Sequence, residues 1–154
     1  MKYLLLLLTL FFSACSIKNY ERNETKVIIL KSPKIKFADT GYIRSTDKSI
    51  ALEMFVAGQR IESIEINHLI CVKSGCMSKS GFNTEYLHHS YPSDLLQDVL
   101  LGRAIYEGKN LVRTADGFEQ MIESSDVDIV YKKTAQQISF KDRKNKILLK
   151  IKDL

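Results

Sequence analysis

Residue types that could act as nucleophile, base and acid stand together at His88-His89-Ser90 and Asp94. A Ser/His/Asp triad needs its three side chains to converge in space, each oriented by the next, and close neighbours in sequence rarely achieve that. The chain has no G-x-S-x-G elbow to lift a serine out of a strand-to-helix turn, so this cluster reads as a polar helix boundary. Asp126 and Asp128 are spaced to share one strand face beside a turn, which reads as a solvated edge rather than an acid/base pair. His68 falls on the apolar face of a strand with Ile64, Ile66 and Ile70, and reads as a core or rim histidine rather than a ligand. Seven glycines are scattered singly, so there is no glycine-rich phosphate loop. Cys71 and Cys76 enclose Val72-Lys-Ser-Gly75 and leave three chemistries open: a structural disulfide, a metal site and a redox pair. A zinc site needs four ligands, and His68, His88 and His89 match no zinc spacing. A redox pair usually has two residues between its cysteines. Turn chemistry at Lys73-Ser74-Gly75 lets the two sulfurs meet, so the expectation is a disulfide formed in an oxidising compartment. No catalytic residue, cofactor or metal is expected, and the chain is not expected to be an enzyme.

The chain of 154 residues is one domain in length. At 45% hydrophobic and 27% charged it is neither a disordered chain nor a coiled-coil rod, and its net charge is +5. After Met1-Lys2 comes an apolar run, Tyr3 to Phe12. As a helix it would rise about 15 Å, roughly half the hydrocarbon thickness of a bilayer, too short for a lasting span. A charged start, a short apolar core and small residues make an export signal. Ser13-Ala14-Cys15 resembles the lipobox of bacterial lipoproteins. That resemblance implies a signal peptide over 1–14, and a Cys15 that carries a diacylglycerol thioether and is then N-acylated. Ser16 stands after it in place of the Asp that retains such proteins at the inner membrane, which points to the outer membrane. Residues 15–24 are then a polar tether, and 25–154 a single domain. Basic residues gather at Lys141, Arg143, Lys144, Lys146, Lys150 and Lys152. They read as the solvated face and turn of a hairpin, with contact to a membrane surface as the second reading. Nucleic acid is not an expected partner of an exported chain.

The elements that must position these residues are mostly strands. Val27 to Leu30, then Ile35, Phe37 and Gly41 to Arg44, are extended. From Ile50 the pattern alternates, with Ile50, Leu52, Met54 and Val56 on one face. Gly58-Gln59 is a tight-turn signal, and Ile61 to Cys71 reads as the next strand. The middle changes character. Phe82 to Leu87 can form a short helix, and Ser93 to Leu101 forms another, capped by Ser93 or Ser90, with Leu95, Leu96, Val99 and Leu100 as its apolar stripe and Gly102 as its stop. Residues around Gly108 to Asp116 read as irregular chain. Strands return at Phe118 to Ile122, Val127 to Tyr131, Ile138 to Phe140 and Ile147 to Lys152.

A meander, a helical insertion and a second meander resemble the LolA/LolB-like family of periplasmic carriers and outer-membrane receptors of lipoproteins. The resemblance is carried by Tyr91 to Gly102 as the helix and by Gly117-Phe-Glu-Gln, Asp128-Ile-Val-Tyr131, Ile138-Ser-Phe140 and Ile147 to Ile151 as the closing hairpins. The segment Cys71 to Leu101 also resembles outer-membrane lipoproteins of the Campylobacter and Helicobacter lineage. The family resemblance implies an α+β, mainly antiparallel β fold: a curved, incompletely closed half-barrel with a helical plug. An immunoglobulin-like β-sandwich is the alternative. It also implies non-covalent handling of lipid or lipoprotein acyl chains in an apolar cavity, for which Leu52, Met54, Val56, Ile64, Ile66, Leu96, Val99 and Leu100 are the candidates. The alternative function is an interaction lipoprotein that binds an envelope partner without carrying lipid.

The Cys15 reading has a direct check. Cys15→Ala should abolish metabolic labelling by an alkyne fatty acid and leave unprocessed or mislocalised precursor, whereas equal labelling of mutant and wild type would refute it.

Overall fold

The computed structural model describes residues 20–154. The signal over 1–14, Cys15 and the tether as far as residue 19 lie outside these residues. Eleven strands among the described residues hydrogen-bond into one open antiparallel sheet. The first meander is β1 (Arg22–Lys31), β2 (Lys36–Ser45), β3 (Ile50–Val56), β4 (Gln59–Ile66), β5 (Ile70–Val72) and β6 (Gly75–Met77). A helical segment follows with α1 (Lys79–Tyr86), α2 (Leu95–Leu100) and a 3₁₀ turn at Tyr106–Gly108. The second meander is β7 (Leu111–Thr114), β8 (Gly117–Glu123), β9 (Asp128–Lys133), β10 (Gln137–Asp142) and β11 (Ile147–Asp153). The strand order is β6-β5-β4-β3-β2-β1-β11-β10-β9-β8-β7. The first and last strands therefore meet in the middle, joined through Ile28↔Ile151 and Leu30↔Leu149. The chain is mainly antiparallel β with few helices. All eleven strands share one sheet, so the described residues do not form the two stacked sheets of the sandwich alternative.

Period-two alternation decides which face is dry. Directly opposed residues lie on the same face, and the registers chain the apolar ones together. Ile64, Leu52 and Ile43 run across β4, β3 and β2. Phe37, Leu30, Leu149, Phe140 and Tyr131 run across β2, β1, β11, β10 and β9. All of these are buried, as are Phe82, Leu87, Tyr91, Leu95, Leu96, Val99, Leu100 and Ile105 of the helical segment, which packs on this core face. Gly41 keeps β2 close to its neighbours: a Cβ there would come within 2.5 Å of both the Glu53 carbonyl oxygen and Ile28 Cδ1.

Several boundaries differ from the sequence reading. The first strand begins at Arg22, so residues 22–24 are paired strand rather than tether. The β3–β4 turn is Ala57-Gly58, both at positive φ (50° and 77°), while Gln59 already pairs with Val56; a two-residue hairpin of this kind needs two such residues. Val56, at that turn, is 45% exposed rather than part of the core. The expected strand 61–71 breaks at Asn67-His68-Leu69, where the Asn67 side chain accepts the Leu69 amide at 2.9 Å, and His68 sits exposed in the bend. Helix α2 starts at Leu95, after Asp94, with no side-chain cap; Ser90 is instead held by His88. β7 forms where the sequence reads as irregular.

Polar groups, most of them buried, fasten the helical segment to the sheet. Fully buried Asn83 donates to the carbonyls of Tyr91 and Pro92, at 3.3 and 2.9 Å, and so ties α1 to the start of α2. The Tyr91 hydroxyl donates to Asp142 Oδ2 at 2.6 Å, across to β10. Gln97 donates to the Lys48 carbonyl on the opposite wing, and Arg103 to that of Asp47. Fully buried Gln120 accepts from the Ile105 amide and donates to the Ile105 and Lys109 carbonyls.

Asp142 is the densest of these clasps, because it also accepts from Asn145 Nδ2 and from the amides of Asp128, Lys144 and Asn145. Burial alone would push its carboxyl pKa up. The hydrogen bonds from Tyr91, Asn145 and the amides outweigh that and hold it below the ordinary 3.8. Burial and the bond to Asp142 push the Tyr91 phenol well above its ordinary range. Asp142→Ala strands the buried Tyr91 hydroxyl and should cost about 3 kcal/mol in chemical denaturation. A carboxyl whose native pKa is depressed stabilises the fold above its unfolded value and loses that contribution as pH falls through the native one. The stability gap between wild type and Asp142→Asn should therefore be flat at neutral pH and shrink below about pH 3.8. A gap that widened on acidification would contradict the assignment.

Candidate functional site

Helix α2 stops before Gly102, whose φ is 66°. Beyond it a cleft of about 280 Å³ opens between the end of α2, the starts of β1 and β3, the ends of β2 and β11 and the β9–β10 turn. Its floor is apolar: Ile43, Ile50, Leu100, Leu101, Ile138 and Ile151. Its rim is charged: Arg22, Glu24, Lys26, Lys133 and Asp153. Strand register explains the rim. Alternation keeps Glu24, Lys26 and Asp153 on the core face, past the point where apolar partners cover it. Lys26 lies opposite Asp153, and its Nζ is 2.5 Å from both Asp153 Oδ1 and Glu24 Oε2. Burial pulls this ammonium's pKa down, but the hydrogen bonds to Asp153 and Glu24 and their charges more than reverse the effect, so Lys26 keeps its proton more tightly than an ordinary lysine. Ile43, Ile50, Leu100 and Ile151 are almost wholly buried, so the apolar surface that the cleft offers comes mainly from half-buried Leu101 and Ile138, with room for a polar group at the rim. The arrangement places no nucleophile beside a base.

Of the eight candidates for an apolar cavity, Leu100 alone lines this cleft. Leu52, Met54 and Ile64 are fully buried, and Ile66, Val99, Leu96 and Leu100 nearly so, in one continuous core. The void touching Leu96 and Val99 is about 10 Å³, at the lower limit for one water, so these side chains are packed. Val56 lies apart, exposed at the β3–β4 turn. The floor residues Ile43, Ile50, Leu101, Ile138 and Ile151 escaped the sequence reading because nothing in a strand's own pattern tells where coverage by another element ends.

The chemistry-bearing types of the middle region do not form a triad. His88 Nδ1 is 2.7 Å from Ser90 Oγ, but the Asp94 carboxylate is bound to Lys79 Nζ at 2.6 Å. Asp128 pairs with Arg143 at 2.6 Å, and Asp126 accepts from Ser125. Among the described residues no group of three or more His, Cys, Asp or Glu side chains stands close enough to share a metal ion. No described helix is long and apolar enough to cross a membrane. Cys71 and Cys76 are joined by a disulfide and oppose each other across β5 and β6, with the turn at Lys73-Ser74.

Comparison with protein-family models, curated proteins and solved structures gives no match.

The disulfide closes a six-residue loop, worth about 2 kcal/mol in the chain-entropy account. It holds an edge hairpin of three residues a side. Protein prepared without reductant should show Cys71 and Cys76 two hydrogens short by mass spectrometry, and Cys76→Ser should unfold about 2 kcal/mol more easily in urea. Two free thiols in protein prepared without reductant would count against it.

Proposed function

We propose that this protein is a lipid-anchored protein of the outer membrane, held on the periplasmic side through Cys15, whose domain takes up lipid or lipoprotein acyl chains non-covalently. The observation that carries this reading is the cleft beneath the end of α2, with its apolar floor and charged rim. Its volume is close to the lower end for small-molecule sites, and each methylene laid on the floor is worth about 0.8 kcal/mol. No bond is made or broken in this reading; the work is binding and release.

The sheet supports the finer architecture as well. Eleven strands about 4.8 Å apart would span roughly 50 Å if flat. Helices of eight and six residues are only about 12 and 9 Å long. Yet the core face is buried from Ile70 on β5 to Ile122 on β8. A sheet curled into an incompletely closed half-barrel around a helical plug reconciles these lengths, and sheets this wide tend to curl. This agrees with the resemblance to the LolA/LolB-like family.

The second reading is an interaction lipoprotein without carrier activity. The observation in its favour is the packing under the helices, where the void is about 10 Å³.

Titration with a fluorescent fatty acid separates the two. Leu101 is half-buried at the cleft, so Leu101→Trp should fill it, weaken probe binding at least tenfold and leave thermal unfolding nearly unchanged. A wild-type protein that binds no apolar probe would remove the carrier reading and leave the interaction reading.

A further inference from the structure

We propose that the outer face of the central strands is a docking face for an anionic phospholipid surface. Five lysines share this face: Lys36 on β2, Lys31 on β1, Lys150 and Lys152 on β11, and Lys141 on β10. The registers place them there. Lys31 opposes both Lys36 and Leu148, Leu148 opposes Lys141, Ile29 opposes Lys150, and Val27 opposes Lys152. Among the described residues none of the five has an ion-pair partner. Lys31 directly opposite Lys36 is a like-charge cross-strand pair, which destabilises a sheet unless something anionic lies over it.

Neighbouring acids do not neutralise the face. Glu85 is taken by Lys34, Asp128 by Arg143 and Glu119 by Lys132. Asp39 opposes Ile28 and so belongs to the core face, while Asp126 sits in the β8–β9 turn. At one end of the face a groove of about 670 Å³ lies between the β1–β2 and β10–β11 turns, with Lys31, Lys36 and Lys146 around Pro33, Phe37 and Ala38. A phosphate head group would meet the ammonium groups there, with apolar side chains beneath it.

The composition favours lipid over nucleic acid. Single strands are held by stacking on aromatic rings and by arginine. Between these lysines stand Val27, Ile29, Leu148 and Val130 instead, with Met121 58% exposed at the margin. Lysines on flexible stems over half-buried aliphatic residues suit a diffuse anionic surface, each giving about a fivefold gain in partition.

The inference rests on the reading of the protein as membrane-held, but the two fail separately, because acyl labelling at Cys15 is read independently of vesicle binding. The test is flotation of the unlipidated full chain with phosphatidylcholine vesicles and with the same vesicles containing phosphatidylglycerol. The apolar leader contributes equally to both. Wild type should prefer the anionic vesicles and lose that preference in high salt. K31Q/K141Q/K150Q should weaken anionic-vesicle binding by on the order of 100-fold without lowering the melting temperature. K48Q/K73Q/K109Q, equal in charge but off this face, should retain it. Equal partition of wild type on both vesicles, an equal loss in the control triple, or tighter binding of the face to a single-stranded oligonucleotide than to the vesicles would each overturn the proposal.

Discussion

A sheet has two faces, and in this chain one of them is apolar along nearly its whole width while a single connection is available to cover it. Every strand among the described residues lies in the one sheet, so the dry face has no second sheet to meet. The cover is residues 78–110, between β6 and β7. Everything else follows from making that short segment sufficient. Most of its apolar residues are buried, and Tyr86, Leu101 and Tyr106 are partly so. Its polar residues reach outward to fix it on both wings: Gln97 and Arg103 toward the β2–β3 turn, Tyr91 toward Asp142, and the Ile105 backbone to Gln120. Packing alone is nearly non-directional; these bonds give the segment one position.

The same constraint explains why the cleft lies where it does. Helix α2 ends at Gly102, and beside that end the core face is left to Ile43, Ile50, Ile138 and Ile151 below and to charged strand ends above. Lys26, caught between Glu24 and Asp153, seals the junction of β1 and β11 on that side. Under α2 itself the side chains fit closely. A cleft beside the end of α2 and a packed core beneath the helix are thus two results of one shortage of covering chain.

The outer face obeys a different rule. It needs no cover, so alternation is free to fill it with charge. On the β3–β4 wing the charges pair, as Arg44 and Arg60 do with Glu53 at 3.2 and 3.5 Å. On the central strands lysines stand without acids. Two faces with different partners on one layer of backbone is the arrangement that a sheet open to solvent on one side permits.

The sequence by itself determined what depends on neighbours close along the chain. Period-two alternation at Ile50 to Met54 and at Ile147 to Ile151 marked strands and their inner faces. The turn between Cys71 and Cys76 was enough to bring the sulfurs together. The stripe Leu95, Leu96, Val99 and Leu100 marked a buried helix face. Where a local hydrogen bond or a backbone requirement competed with the pattern, the reading slipped: at Asn67-His68, where a side chain ends the strand, and at Ala57-Gly58, where the turn took the pair of positive φ angles. β7 was illegible because four residues at the sheet edge, mostly exposed, carry almost no burial signal. The pairing of β1 with β11, which joins residues more than a hundred positions apart, was decided only by tertiary structure. So were the burial of Asp142 and Gln120 as clasps and the margin at which the helical cover ends. These depend on which surfaces meet across the folded chain, and a residue's own neighbours in sequence carry no record of that.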